Sequence, residues 1–180
     1  MSALERELDV TSLERAAAAI ADAERVDCYA CGATSTFIAN DLQARLFRMG
    51  LTATSYADAY LQLVAAATIG AGDAVVAISF VGRMPTLLEP VGIARSRGAK
   101  ILAITRKDTP LAQLADIVLP VDVPADATMP VGTDAYITQM MMIEIVTIMI
   151  GRLRGPACVK RLEGIHKMLQ AKDSDSDATS

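Results

Sequence analysis

Hydrophobic positions along the chain fall into short blocks that alternate between helical and strand spacing. The first helical block covers residues 12–25 and opens with the capping-box sequence Thr11-Ser12-Leu13-Glu14. A short apolar run at residues 26–31 predicts a strand, and residues 36–49 predict the next helix. The strongest strand signal is the apolar run at residues 74–79. The pattern therefore predicts strands and helices that alternate along the chain.

The same alternation continues toward the end of the sequence. Further strands are predicted at residues 51–55, 100–105 and 117–123, and further helices at 57–68, 85–97, 110–115, 134–150 and 156–170. Pro90 should bend its helix or delay its start, because proline lacks the amide that bonds four residues back. Three prolines, Pro120, Pro124 and Pro130, mark an irregular segment before the helix at 134–150.

Five strands that alternate with helices predict an α/β fold, with a doubly wound parallel sheet flanked by helices on both faces. Such sheets bind ligands beyond the carboxyl ends of the strands, where the winding direction reverses. With the strand order 2-1-3-4-5, this point lies between the first and third strands. The loops that follow those strands, residues 32–35 and 79–83, should therefore meet at one pocket.

These two loops carry small residues, hydroxyls and one arginine. Free amides at the start of a helix and the helix dipole favour an anion, and hydroxyls and a guanidinium can bond phosphate oxygens. A threonine that enters the helix at 134–150 could also reach a ligand in this pocket, as could Asp58 after the second strand. The candidate ligand-binding residues are Gly32, Thr34, Ser35, Ser79, Gly82, Arg83 and Thr133.

Each of these residues also has a purely structural interpretation. Thr34 and Ser35 could cap the following helix instead of binding a ligand. Thr133 could likewise cap its helix, and Asp58 could belong to a solvated turn. The sequence leaves both interpretations open.

Composition and charge exclude several classes of function. The 180 residues include 17 Lys and Arg against 21 Asp and Glu, a formal net charge of −4, so we expect no direct contact with nucleic acid. No export signal opens the sequence, and the apolar run at residues 136–150 is too short for a membrane span, so no membrane partner is expected. Three cysteines do not make a disulfide framework. We therefore expect a cytoplasmic protein.

The chemistry of the remaining candidate residues points to no metal and no cofactor. Cys28 and Cys31 form a C-x-x-C motif, but the strand period of two places their side chains on opposite faces. The helix at 134–150 carries methionines on more than one face, which predicts contact with both the sheet and a second subunit. We expect a homodimer or tetramer that uses this helix as its interface.

The motifs Cys31-Gly32-Ala33-Thr34-Ser35 and Ile78-Ser79-Phe80-Val81-Gly82-Arg83, followed by Arg97-Gly98-Ala99-Lys100, resemble the sugar-isomerase (SIS) domain. The variant is the one found at the C-terminus of RpiR-type bacterial transcription regulators. The resemblance covers residues 13–167. It implies a flavodoxin-like five-stranded sheet, self-association, and a sugar phosphate or phosphorylated sugar acid bound at the two loops.

The sequence departs from the pattern of that family in the second loop. The family usually has Ser-x-Ser-Gly-x-Thr there, whereas this chain has Val81 and Met84 at the second and third hydroxyl positions. In the first loop, Ala30 stands where a glycine is common. The loops derived above therefore retain only some of the hydroxyl donors that the family uses.

Two function classes follow from the resemblance. The favoured one is a phosphosugar-binding sensor and oligomerisation domain of a transcriptional regulator whose DNA-binding domain is not in this chain. The alternative is a phosphosugar aldose-ketose isomerase, which needs a positioned base. Its candidates are Glu144, as a buried base or a partner of another subunit, and His166, which we expect at the surface. We assign no catalytic residue. A domain that only dimerises is a third, structural hypothesis.

The predicted domain organisation is simple. Residues 1–11 form an N-terminal lead-in, residues 12–170 form the SIS domain, and residues 171–180 form a disordered polar tail.

Overall fold

The computed structural model of the protein describes residues 9–121 and 133–177, with only the backbone described at Thr133 and at residues 173–177. The strands are β1 (Val26–Ala30), β2 (Ala53–Tyr56), β3 (Ala74–Ile78), β4 (Lys100–Thr105) and β5 (Ile117–Pro120). The helices are α1 (Val10–Asp22), α2 (Ala33–Arg48), α3 (Ala59–Thr68), α4 (Pro85–Ser96), α5 (Pro110–Leu114) and α6 (Thr133–Asp177).

All five strands pair in parallel in the order β2-β1-β3-β4-β5, which confirms the predicted α/β fold and its topology. Val26 at the start of β1 lies beside Ala53 of β2 on one side and Ala74 of β3 on the other. β1 is therefore an inner strand, and the winding direction reverses between β1 and β3.

Helices cover both faces of the sheet. Cys28 and Val76 point toward the face covered by α1, α2 and α6, whereas Tyr29 and Ala77 point toward the face covered by α3, α4 and α5. The strand residues of β1 and β3 are buried throughout. Burial on both faces explains why β3 is continuously apolar instead of alternating. In β1 the buried residues include one charged side chain, Asp27.

The first helix begins earlier than predicted. Its N-cap is Asp9, whose carboxylate accepts a hydrogen bond from the amide of Thr11 at 3.1 Å and one from the hydroxyl of Ser12 at 2.6 Å. These bonds hold the pKa of Asp9 below its usual value, with the Ser12 hydroxyl as the main cause. The predicted capping box at residues 11–14 is therefore wrong, since an aspartate two residues upstream satisfies the free amides.

The second and fourth helices differ from prediction in different ways. α2 begins at Ala33, three residues earlier than predicted, so Thr34 and Ser35 lie in its first turn instead of in the loop. α4 begins at Pro85 as predicted and contains Pro90 as a buried interior residue, so the proline does not delay the start of the helix.

The last helix corresponds to two predicted helices joined across a break. Gly155 has φ 66° and ψ −156°, a conformation that essentially only glycine adopts, and Pro156 follows it as the first residue of the next helical segment. The backbone stays helical to Asp177, so residues 171–177 differ from the expected disordered tail. Extending an existing helix by one residue is far easier than nucleating a new one, which accounts for the longer helix.

By length and composition alone, the described segment Asp134–Lys172 could cross a membrane, which the two shorter predicted helices could not. A core helix passes the same test, and Ile143, Val146 and Ile150 of α6 are buried in the core. The break at Gly155 also divides the segment. The irregular segment predicted around Pro124 and Pro130 lies outside the described residues.

Candidate functional site

The two loops that the sequence singles out are neighbours in the structure. Ala30 at the end of β1 pairs with Ile78 at the end of β3, so the chain leaves both strands at the same point of the carboxyl edge. From there it enters α2 on one face of the sheet and α4 on the other. The expected adjacency of the loops is confirmed, and the role of their residues in ligand binding stays a prediction.

The first loop is short, with only Cys31 and Gly32 between β1 and α2. Gly32 has φ 90°, which favours glycine, and its carbonyl accepts a hydrogen bond from the amide of Thr36 at 3.0 Å. Gly32 is the N-cap of α2 and has no side chain with which to bond the free amides of the first turn. Thr34 and Ser35 do not cap the helix, and neither hydroxyl bonds another described residue. The structure thus disfavours the capping interpretation of these two residues.

The second loop is closed by one of its own candidate residues. The buried hydroxyl of Ser79, which is 3% exposed, accepts a hydrogen bond from the amide of Gly82 at 3.0 Å. The amide of Ser79 in turn donates to the carbonyl of Ile104 in β4. Ser79 therefore shapes the loop, and its hydroxyl donates no hydrogen bond to another described residue.

Gly82 is required by packing against the neighbouring strand. Its φ is 61°, and a Cβ placed there would lie 2.5 Å from the hydroxyl oxygen of Thr105 and 2.6 Å from that of Thr109. The sequence analysis expected this glycine to let the main chain approach a ligand. In the structure, the close approach is to the end of β4 and the turn after it.

Arg83 points away from β1 toward the loop between β4 and α5. Its Nη2 donates to the carbonyl of Asp108 at 2.9 Å. The two positions at which the family pattern has hydroxyls carry exposed apolar side chains, Val81 and Met84. Like α2, α4 starts without a side-chain cap, since Met84 is its N-cap.

Two residues near the loops were missed by the sequence analysis. The hydroxyl oxygen of Thr86, in the first turn of α4, lies 3.6 Å from the sulfur of Cys31, which lies between β1 and Gly32. A helix start at Pro85 was expected, so the position of Thr86 in that first turn was a usable signal.

Gln62 of α3 donates from Nε2 to the carbonyls of Ala30 and Tyr56, at 2.7 Å each. Gln62 thus joins the ends of β1 and β2, which no local pattern indicated.

The two catalytic candidates of the isomerase alternative, Glu144 and His166, are both exposed. Glu144 is 52% exposed and forms an ion pair with Arg45 of its own chain, which also pairs with Asp41 at 2.8 Å. Glu144 is therefore not a buried base, and its role in contact with another subunit stays a prediction. His166 is exposed on the second segment of α6, as expected. The Glu144 pair joins α6 to α2.

The remaining candidates are also placed by the structure. Asp58 accepts a hydrogen bond from the amide of Leu61 at 2.9 Å and is the N-cap of α3. The side chain of Thr133 lies outside the described residues.

Cys28 and Cys31 pack on opposite faces of the sheet as expected, and burial raises the pKa of the Cys28 thiol to about 12. The described residues contain no group of three His, Cys, Asp or Glu side chains that could hold a metal ion.

Comparison with known proteins finds relatives of this chain in sequence and in fold. The bifunctional protein glk of Paraburkholderia xenovorans is 33% identical to this chain over 175 residues, which is 97% of the chain and 27% of that protein. The HTH-type transcriptional regulator HexR of Pseudomonas aeruginosa is 28% identical over 148 residues, which is 82% of the chain and 52% of the regulator. The chain therefore spans about a quarter of the first relative and about half of the second.

A solved structure shares the fold at lower identity. NanR of Vibrio vulnificus, complexed with ManNAc-6P, superposes with a TM-score of 0.82 at 20% identity, covering 93% of this chain and 63% of NanR. A family model of the SIS domain matches residues 19–149, a range that includes both loops and the whole sheet. The resemblance read from the loop motifs is thereby confirmed, and the chain belongs to the SIS domain family.

Proposed function

We propose that the chain is a phosphosugar-binding sensor and oligomerisation domain of a cytoplasmic transcriptional regulator. The observation that carries this proposal is the meeting of two uncapped helix starts, α2 and α4, at the reversal point of the sheet. The free amides lie mainly at the start of α2, because Pro85 of α4 has no N–H and the amide of Leu87 already bonds the carbonyl of Met84. These amides and the two helix dipoles favour an anion, and the hydroxyls of Thr34, Ser35 and Ser79 belong to the same two segments of the chain. A phosphate group fits this set of donors.

The relatives support a sensor over an enzyme. HexR is a transcriptional regulator by name, and NanR was solved with a sugar phosphate, ManNAc-6P. The SIS domain family includes isomerases as well as regulators, so membership alone does not choose between the two. The choice here rests on Glu144 and His166, because the first is held in an ion pair with Arg45 and the second lies on an exposed helix segment.

A thermal-shift screen with sugar phosphates and their unphosphorylated counterparts tests ligand binding. A ligand at 100 times its dissociation constant adds about 2.7 kcal/mol of stability, a rise in Tm of roughly 5–10 °C for a chain of this size. The double variant Thr34→Val/Ser35→Ala should lose most of this rise, because it removes two hydroxyl donors. Thr54→Val is the control: it removes an exposed hydroxyl within β2 and should keep the full ligand-induced rise in Tm. A full rise in the double variant contradicts the site.

An assay of ketose-aldose conversion separates the sensor from the isomerase. We expect binding of a sugar phosphate without its conversion, and we expect Glu144→Gln to bind as the unaltered protein does. Turnover that disappears in Glu144→Gln would overturn the preference for a sensor.

The oligomerisation half of the proposal rests on apolar side chains that α6 leaves exposed. Ile148 is 48% exposed and lines a groove of about 250 Å³ between α2 and α6, together with Met49 and Leu162. We expect Ile148→Glu to shift the protein from dimer or tetramer to monomer in sedimentation velocity. Val64→Glu on α3 is the matched control, since Val64 is 47% exposed, and it should leave the assembly intact. The opposite pattern would assign the interface to α3.

A further inference from the structure

The second segment of α6 extends beyond the body of the protein. We call residues 156–172, the part of this segment whose side chains are described, the α6 arm. The base of the arm contacts the body, since Cys158 is buried and a Cβ at Gly50, just after α2, would lie 2.8 Å from the guanidinium carbon of Arg161. From His166 to Lys172 every residue is exposed. The outer part of the arm therefore faces solvent in a single copy.

An apolar stripe runs along the arm. Four apolar side chains recur at intervals of four, three and four residues, namely Cys158, Leu162, Ile165 and Leu169. This spacing places them on one face and is typical of the seam between two paired helices. Exposure rises along the stripe, from 3% at Cys158 to 39% at Leu162 and 51% at Leu169. The body thus covers the start of the stripe and leaves its end open, and a helix without tertiary contacts is only marginally stable in water.

A second open apolar surface lies at the base of the arm. Leu162 borders the groove of about 250 Å³ between α2 and the first segment of α6, which Met49 and Ile148 also line. The later residues of the stripe, Ile165 and Leu169, do not line this groove. Each copy of the chain therefore carries both an open stripe and an open groove.

The distribution of charge favours a second copy of this chain as the partner of the arm. The arm contains four Lys or Arg and one Glu, a net charge of +3, whereas residues 9–155 contain 12 Lys or Arg against 15 Asp or Glu, a net charge of −3. Opposite net charges attract the arm of one copy to the body of another. An anionic membrane would attract the arm but repel the body.

We propose that two copies exchange their arms, so that the stripe of each arm packs into the groove at Ile148 of the other copy. A two-fold axis makes this contact twice. The proposal rests on the proposed function, because it takes that groove as one half of the interface, and it adds the arm as the other half. Gly155 sets the direction of the arm through its φ of 66° and ψ of −156°, a conformation that essentially only glycine adopts.

Sedimentation velocity of the full chain tests the role of the stripe. Leu169→Glu should raise the dissociation constant of the dimer at least about a hundredfold, because two leucine side chains lose their burial across the two-fold axis. Leu61→Glu on α3 is the matched control, since Leu61 is 52% exposed, and it should leave the dissociation constant unchanged. Equal effects of the two variants would contradict the proposal. The Tm of each variant verifies that it is folded.

A mixing experiment tests the exchange itself. Ile148→Glu damages the groove and Leu169→Glu damages the arm, so a dimer of either variant alone has two damaged contacts. An equimolar mixture can form a dimer in which one contact carries both substitutions and the other is intact. We expect the mixture to associate more tightly than either variant alone, and a mixture that associates no better overturns the exchange.

The direction of the arm is tested at two glycines. A Cβ at Gly155 or at Gly164 meets nothing within 4 Å, so neither Gly155→Ala nor Gly164→Ala creates a clash. Only Gly155 has a positive φ, so Gly155→Ala should redirect the arm and raise the dissociation constant at least about tenfold. Gly164→Ala, within the arm, should leave it unchanged. Equal dissociation constants for the two variants contradict the arm as part of the interface.

Two further measurements test the choice of partner. Between about 50 mM and about 500 mM NaCl the dissociation constant should rise about threefold or more, because salt screens the attraction between arm and body. We expect no co-sedimentation with phosphatidylglycerol vesicles. Vesicle binding that Leu169→Glu abolishes would assign the arm to a membrane, and a dissociation constant that does not change with salt would contradict the charge argument.

Failure of this proposal is distinguishable from failure of the proposed function. If Ile148→Glu dissociates the protein and Leu169→Glu does not, the arm exchange is wrong and the groove remains the interface. If the unaltered protein sediments as a monomer, both the exchange and the oligomerisation half of the proposed function are overturned.

Discussion

The guanidinium of Arg25 holds the carboxylate of Asp27 by two hydrogen bonds, of 2.8 Å from Nε and 2.6 Å from Nη2. Asp27 is fully buried in β1, while the Arg25 side chain is 27% exposed. The hydroxyl of Tyr29 donates a third hydrogen bond to the same carboxylate at 3.3 Å. The bond to Asp27 raises the pKa of Arg25, and burial, ahead of the adjacent charge of Asp27, raises that of Tyr29. The pair thus holds a buried carboxylate near the amino end of an inner strand of the sheet.

Breaking this pair should destabilise the protein strongly. Arg25→Ala leaves the buried carboxylate without its counter-charge, and we expect a loss of about 3 kcal/mol in the free energy of unfolding. The double variant Arg25→Met/Asp27→Leu removes both charges and should lose less than Arg25→Ala. Urea unfolding, monitored by circular dichroism because the chain has no Trp for fluorescence, measures the loss in the free energy of unfolding of each variant. Equal losses in the two variants would show that packing, and not charge, dominates at this position.

Two glycines of the same region should respond in opposite directions to alanine. Gly82→Ala forces a Cβ into the hydroxyls of Thr105 and Thr109 at φ 61°, and we expect a loss of at least about 2 kcal/mol. Gly92 lies inside α4, and a Cβ there meets nothing within 4 Å. Gly92→Ala should therefore gain about 0.5–1 kcal/mol from helix propensity. Urea unfolding of the two variants side by side measures the contrast, which disappears if the loop around Gly82 can shift freely.

Substitution of Gln62, which donates two hydrogen bonds, should lower the free energy of unfolding more than substitution of Gln43, which donates one longer bond. Gln62→Met leaves the carbonyls of Ala30 and Tyr56 without their donor, and we expect a loss of about 2–4 kcal/mol. Gln43 donates to a single carbonyl, that of Ala53 at 3.2 Å, from a half-buried position. Gln43→Met should lose no more than about 1 kcal/mol. Thermal unfolding ranks the two variants, and a larger loss at Gln43 would contradict the role of Gln62.

The fold could be predicted from sequence because its signals are local and repeated. The buried strands are short runs that are apolar apart from Asp27 in β1, and they alternate with segments of helical periodicity, so the order of elements and the α/β topology follow from the pattern. The differences lie at helix boundaries, namely the starts of α1 and α2 and the carboxyl-terminal part of α6. The α1 start was misplaced because Asp9 and Thr11-Ser12 both offer capping side chains, and only the three-dimensional bonds distinguish them.

The site was predictable in position but not in detail. The adjacency of the two loops follows from strand order, which the alternation of elements suggests. The direction of the Arg83 side chain does not follow from strand order, because it depends on a hydrogen bond to the carbonyl of Asp108, 25 residues away in sequence. The same holds for Glu144, whose partner Arg45 is 99 residues distant in sequence. Long-range side-chain contacts of this kind leave no periodic signal.

The buried thiol of Cys28 should make the fold sensitive to alkaline pH. Its ordinary pKa of 9.0 is raised to about 12 by burial and, less, by the charge of Asp27. Between these values the unfolded chain loses the proton while the folded chain keeps it. Stability is therefore intact below pH 9 and falls as pH rises toward 12, by about 1.4 kcal/mol per pH unit from this group.

Substitution of this thiol isolates its contribution. Cys28→Val keeps an apolar side chain of similar size in β1 and removes the ionisable group. Between pH 8 and pH 10.5, the unaltered protein should lose about 2 kcal/mol more than the variant does. Other groups, Tyr29 among them, titrate in both proteins, so only the difference reports on Cys28. Urea unfolding at both pH values measures it, and parallel losses in the two proteins would mean that the thiol gains access to solvent before the chain unfolds.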